Sequence, residues 1–240
     1  MANSWFQFKQ FLVKQESAAM KVCTDSCVFG ATVPVDSEVR SILDIGTGTG
    51  LLALMLAQRT TDCVRIDAVE MNEDAALQAL DNFFNSPWDS RIKLHACSIQ
   101  DYFKFTPKQY DLIICNPPFF SSSLKTGNTS KDMALHQSHL LIEELMQVIS
   151  FMLKGNGDAY LLISIYEEAN FMKAANAVGL SVNRFQAMYD NEGKLIRYVL
   201  HIRKDSNHIK NTEDKFIIRN ADNEYTTQFV NALKYFYLNL

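Results

Sequence analysis

Residues 41–59 read SILDIGTGTGLLALMLAQR, and the folding of this stretch decides the architecture of the chain. Ser41 to Ile45 is a short apolar run that fits a buried strand, Leu51 to Gln58 has a helical pattern, and Gly46, Gly48 and Gly50 fall at the turn between them. Glycines at such a turn let the backbone approach a ligand closely and take conformations that a Cβ forbids. Their spacing bears on which ligand. A dinucleotide fingerprint wants its third glycine at position 51, which here is Leu51, so the turn fits a nucleoside better than a pyrophosphate. Glu70 ends the next strand candidate, in DAVEMN, where a carboxylate can accept both hydroxyls of a ribose.

Outward from this unit, apolar runs alternate with helical patterns. Further strands are expected at Val64 to Val69, Ile92 to Ala96, Tyr110 to Cys115 and Ala159 to Ser164. Helices are expected at Glu73 to Asn85 with Asn72 as N-cap, at Leu140 to Leu153 closed by Gly155, and at Glu167 to Val178 closed by Gly179. That order means a mainly parallel sheet with helices on its faces. Leu180 to Tyr189 and Lys194 to Arg203, joined by Asp190-Asn191-Glu192-Gly193, break the alternation and predict a closing antiparallel hairpin. The sheet is therefore expected to have seven strands. Residues 204–214 read as a polar loop, and Tyr225 to Leu238 as an apolar helix.

The bulk composition narrows the function classes. With 240 residues and 48% hydrophobic composition, the chain is long enough for one large core and short for two. No apolar run approaches the roughly 18 residues of a membrane span, and the N-terminus lacks the layout of a signal peptide, so a cytoplasmic protein is expected. The five cysteines are scattered without CxxC pairing, which points to neither a disulfide framework nor a zinc site, and no metal is expected. A net charge of −4 argues against tight non-specific binding to nucleic acid, while leaving room for a local basic patch.

A second stretch, CNPPFF at residues 115–120, ends the fourth strand candidate on Asn116 followed by two prolines. Alone it could be no more than a rigid strand exit. Together with the glycine turn and Glu70, it resembles the class I methyltransferase fold, whose amino-methylating members carry such a four-residue motif. An exocyclic amine conjugated to a purine is a poor nucleophile because its lone pair is delocalised. In the motif, the Asn116 side-chain oxygen and the Pro117 carbonyl accept hydrogen bonds from that amine, Pro117 and Pro118 hold the acceptors still, and Phe119 offers a face for the base.

The likeness is closer than the fold class. FKQFLVKQESAAMKVCTDSCVFGA, LDIGTGTGLLALMLAQRT, IDAVEMNEDAALQALDNFFNSPW, DLIICNPPFF and YTTQFVNALKYFYL together resemble the bacterial tRNA(Val) adenine-N6 methyltransferase family, from about Phe6 to the C-terminus. That resemblance implies S-adenosylmethionine as cofactor and the anticodon stem-loop of a tRNA as partner, with a monomer expected and no membrane. It also implies that Asp44, Gly46, Gly48, Gly50, Glu70, Met71 and Asn116 bind the cofactor, that Lys21, Thr24 and Asp25 close over it, and that Asn116, Pro117, Pro118 and Phe119 hold the base. Residues 1–40 would be an extension packing over the cofactor site, and 41–240 the methyltransferase domain. Ser98 departs from the pattern, standing where the family usually has an aspartate reaching the cofactor adenine; its hydroxyl, or else Asp101, is expected there.

Two other readings use the same residues. One is methylation of a glutamine amide in a protein such as a release factor, although 40 N-terminal residues are few for the helical substrate domain of those enzymes. The other is a binding module without turnover, for which two aligned amine acceptors have no use. Residues 121–139 read as a long polar substrate loop with Lys125 and Lys131 as phosphate contacts. Arg197, Arg203, Lys204, Lys210, Lys215 and Arg219 give the C-terminal third a basic bias, either an RNA surface or a solvated face.

Overall fold

A computed structural model of the chain describes residues 3–16, 21–117, 129–191, 193–205 and 213–240, with the backbone alone for 129–140. After a small hairpin, β1 (Trp5–Gln7) and β2 (Leu12–Lys14), come α1 (Thr24–Thr32), β3 (Ser41–Ile45), α2 (Leu51–Arg59), β4 (Arg65–Glu70), α3 (Glu73–Phe84), β5 (Ile92–Ala96), α4 (Ile99–Phe105) and β6 (Tyr110–Cys115). The chain continues as α5 (Thr129–Met152), β7 (Leu153–Ser164), α6 (Glu168–Ala177), β8 (Ser181–Tyr189), β9 (Leu195–Arg203), β10 (Asp214–Ile217) and α7 (Thr227–Leu233). Among the described residues the main sheet has eight strands in the order β10-β8-β9-β7-β6-β3-β4-β5. Strands β5, β4, β3, β6 and β7 run parallel, and β9 is antiparallel to both β7 and β8.

Both faces of the sheet are covered, which is why its central strands read as unbroken apolar runs. Ile42, Ile66, Leu112 and Ile114 face one core with α1, α2 and α7, while Leu43, Val69, Ile113 and Cys115 face the other with α5 and α6. Because β3, β4, β5 and β6 are parallel, their C-terminal ends emerge at one edge, the usual ligand edge of such sheets.

The expected fold class is the one observed, and the differences lie in its details. The eighth strand is β10, four residues parallel to β8, too short to register as a pattern. Gly155 does not close a helix but lies within β7, which continues directly from α5. The glycine doing steric work there is Gly157, where a Cβ would come within 2.9 Å of the Tyr110 carbonyl oxygen. Helix α5 starts at Thr129 rather than Leu140, so residues 129–139 are helical instead of loop; Lys125 and the Lys131 side chain lie outside the described residues. The tail helix is shorter than expected, ending at Leu233.

The junction of β3 and α2 depends on close packing. Gly50 has φ +84°, and a Cβ there would sit 2.3 Å from Phe83 Cε1 of α3. Gly50→Ala is expected to destabilise the protein by about 2–4 kcal/mol, through left-handed strain plus overpacking. Gly155→Ala, with nothing within 4 Å, should stay within about 0.5 kcal/mol of wild type. Urea unfolding of the two variants checks this, and equal midpoints would contradict the packing account.

Candidate active site

At the C-terminal edge of the sheet, Gly46 and Gly48 turn with φ +68° and +56°, and neither would meet any atom within 4 Å of an added Cβ. The turn therefore presents open backbone to whatever approaches it. Glu70, at the end of β4, ties this turn to the next helix. Its Oε2 accepts the Gly48 N–H at 2.9 Å and its Oε1 accepts the Asn72 N–H at 2.9 Å. Asn72 in turn caps α3 by accepting the Ala75 N–H at 2.9 Å.

Beneath the turn, Asp44 is fully buried. Its Oδ2 accepts the Thr47 hydroxyl at 2.6 Å and the Ala53 N–H at 3.2 Å, while Oδ1 has no partner. Burial pushes its carboxyl up to about 7, the two hydrogen bonds offsetting part of that rise and the nearby Glu70 adding to it.

The glycine turn, Glu70 and Asn72 border a cavity of about 450 Å³, roomy enough for a nucleoside-sized ligand. Of the expected contacts, Lys21, Gly46, Gly48, Glu70, Met71, Asn116 and Pro117 line it. Pro118 and Phe119 lie outside the described residues. The remaining expected residues are not in its wall. Asp44 supports the turn from below. Gly50 is turned against Phe83. Asp25 of α1 is paired with Arg197 Nε of β9 at 2.9 Å, and Thr24 is likewise absent from the lining. Ser98 caps α4: its hydroxyl accepts the Asp101 N–H at 3.0 Å and donates to Asp101 Oδ2 at 2.7 Å, so the two side chains occupy each other. The wall at that edge is formed by Cys97, Ile99 and Gln100, and Gln100 Nε2 donates to Glu144 Oε2 of α5 at 2.7 Å.

Asn116 stands just past β6, and its Nδ2 donates to Ser26 Oγ at 2.9 Å. Ser26, from the first turn of α1, is 4% exposed and also lines the cavity. The fit to a nucleoside is chemical as well as spatial: an uncrowded glycine cradle, a carboxylate on its rim, and apolar cover from Val22, Leu51, Val69 and Leu145.

The methyltransferase small domain family matches residues 19–155. A tRNA1(Val) (adenine(37)-N6)-methyltransferase of Cytophaga hutchinsonii is 74% identical over the whole of both chains. The chain belongs to that family. A second member, from Flavobacterium psychrophilum, is 38% identical over 98% of this chain and 100% of its own. Among solved structures, a predicted O-methyltransferase from Agrobacterium tumefaciens aligns with TM-score 0.66 and 18% identity over 86% of this chain and 94% of its own, which speaks to the fold alone.

Several features of this family member gave no sequence signal. Ser26 and Asn116 are far apart in the chain, and Gln100 looks like any exposed helical residue. Four of the C-terminal basic residues are drawn into internal contacts: Arg197 pairs with Asp25, Arg203 lies 3.5 Å from Asp158, and Lys215 and Arg219 sit over the rings of Tyr189 and Tyr225; Lys210 lies outside the described residues. His95 and His201 bond to Asp67 at 2.8 Å and to Asp158 at 2.6 Å. Among the described residues, no group of three or more His, Cys, Asp or Glu could hold a metal, and no helix is long and apolar enough to cross a membrane.

Asp44 has a consequence for stability. Its folded carboxyl titrates near 7 against an ordinary value of 3.8, so across that window the folded chain binds more protons than the unfolded one. The stability tied to this group is present below about pH 4 and is lost as pH rises through 7, by at most about 4 kcal/mol. Urea unfolding from pH 4 to 8 should show the difference between wild type and Asp44→Asn changing in that direction; parallel curves would contradict the raised value.

Proposed function

We propose that this chain transfers the methyl group of S-adenosylmethionine to the exocyclic N6 amine of the adenosine beside the anticodon of tRNA1(Val). The observation that carries the reading is Asn116-Pro117 at the end of β6, in the wall of the same cavity that the Gly46–Gly48 turn and Glu70 border. The names of the relatives over their full length support the substrate.

When bound, S-adenosylmethionine supplies an electrophilic methyl group. Glu70 would accept the ribose hydroxyls, from a carboxylate already aligned by Gly48 and Asn72. The open backbone at Gly46 and Gly48 would lie against the cofactor. Lys21, Val22 and Ser26 bring the extension of residues 1–40 to the cavity wall as cover. On the substrate side, the Asn116 oxygen and the Pro117 carbonyl would accept the two amine hydrogens. That draws the lone pair out of conjugation and orients it. The resemblance assigns Pro118 to rigidity and Phe119 to base stacking. The base must leave the anticodon-loop stack, which costs least where stacking is already loose. Such an enzyme would work in the cytoplasm. Against the glutamine-amide reading, the described residues before β3 form a hairpin of three-residue strands and one nine-residue helix, α1, whose Asp25 and Ser26 bond to Arg197 and Asn116.

Two variants separate cofactor binding from chemistry. Glu70→Ala should weaken S-adenosylmethionine by about 2 kcal/mol, roughly 30-fold in Kd, for a lost pair of charge-assisted hydrogen bonds. Calorimetry showing unchanged affinity would remove Glu70 from the site. Asn116→Ala should leave that affinity nearly intact while single-turnover methylation of an unmodified tRNA1(Val) transcript falls by on the order of a hundredfold. A folded Asn116→Ala protein with near-normal rate would sink the amino-methylation reading.

A further inference from the structure

The Asn116 side chain has two chemically opposite ends. Its Oδ1 accepts hydrogen bonds and its Nδ2 only donates them. A substrate amine, itself a donor, can be held by the oxygen and is repelled by the nitrogen, so the orientation of the amide decides whether Asn116 helps or hinders. The prolines beside it fix the backbone and leave the outer side-chain torsion undetermined, because that torsion is broad and roughly two-fold.

We infer that the Ser26 hydroxyl sets this orientation, accepting the Asn116 Nδ2–H and thereby turning the oxygen end away from itself, and that Ser26 is a positioning residue for methyl transfer. This rests on the amino-methylation reading above. The Nδ2 to Oγ distance is 2.9 Å, and both residues line the cavity. A hydroxyl can also donate, so its own proton must go elsewhere for it to act as acceptor here. The Cys23 sulfur, 3.0 Å from Ser26 Oγ, is placed to take it.

Ser26 is itself held in place from two sides. Its backbone N–H is accepted by Asp25 Oδ1 at 3.0 Å, and the other oxygen of Asp25 takes the Arg197 Nε–H at 2.9 Å. The start of α1 is thus pinned to β9 by Asp25 and to the end of β6 by Ser26. Cys23 and Asp25 thus hold Ser26 against the amide, from a segment that precedes the methyltransferase sheet in the chain.

The test compares Ser26→Ala, Ser26→Thr, Asn116→Ala and the Ser26→Ala/Asn116→Ala double variant by single-turnover methylation of tRNA1(Val) transcript, with cofactor Kd and thermal midpoint measured for each. Ser26→Ala is expected to slow methyl transfer about tenfold, with cofactor Kd within about twofold of wild type, because the amide then samples both orientations. Ser26→Thr keeps the hydroxyl and should recover most of the rate. In the Asn116→Ala background, Ser26→Ala should add no further loss, since the group it positions is gone. Slow Asn116→Ala with Ser26→Ala at the wild-type rate would overturn this inference and leave the reaction assignment standing. So would a Ser26→Ala loss that persists unchanged without the Asn116 amide, or one that threonine fails to restore. A near-normal Asn116→Ala rate would instead remove the reaction assignment, and this inference with it.

Discussion

The constraint on which the site depends is the buried carboxylate of Asp44. It is placed at the penultimate position of a strand with apolar neighbours on either side, and it takes the Thr47 hydroxyl and the Ala53 N–H where no water competes. Those two bonds force the chain to reverse between β3 and α2 within five residues, which only left-handed glycines can do without strain. The cost of desolvating the carboxylate, visible in its raised pKa, is the cost of holding that turn in one shape. Glu70 then reads the turn from the adjacent strand, through the Gly48 N–H, and passes its position to α3 through Asn72.

A parallel sheet turns this local arrangement into a site. Ile45, Glu70, Cys97 and Asn116 all fall at or just beyond C-terminal strand ends, so four separate segments deliver side chains to one cavity without any of them bending to reach it. The cover is supplied differently. Lys21, Val22 and Ser26 come from a segment held by side-chain contacts rather than by the sheet ladder.

What could be read in the sequence follows this division. The bounds of β3 and β6 were legible because strands buried on both faces are largely apolar runs stopped by turn residues, those of edge strand β5 because apolar and polar residues alternate in it, and the glycine turn because backbone geometry there admits only one residue type. Helix α1 was not, since Asp25 through Gly30 are all buried and a helix covered all round has no amphipathic period. The three-residue strands of the first hairpin and four-residue β10 are too short to show alternation. Within the site, residue type pointed to Glu70 and Asn116, but no pattern in the chain says which way a side chain faces. Asp25 meets Arg197 and Ser98 meets Asp101 through tertiary geometry that spacing does not encode.

The N-terminal segment is fastened at the far end of the chain. The Lys9 N–H donates to the Phe236 carbonyl at 2.7 Å, Lys9 Nζ to the Lys234 carbonyl at 2.6 Å, Phe8 bridges to Tyr237, and the Phe6 and Tyr237 rings lie 5.5 Å apart. The Lys9–Lys234 contact closes a loop of 225 residues, and the entropy of so long a closure is lost before the contact returns anything. Docking of this hairpin therefore follows formation of the sheet, whose neighbouring strands close far shorter loops.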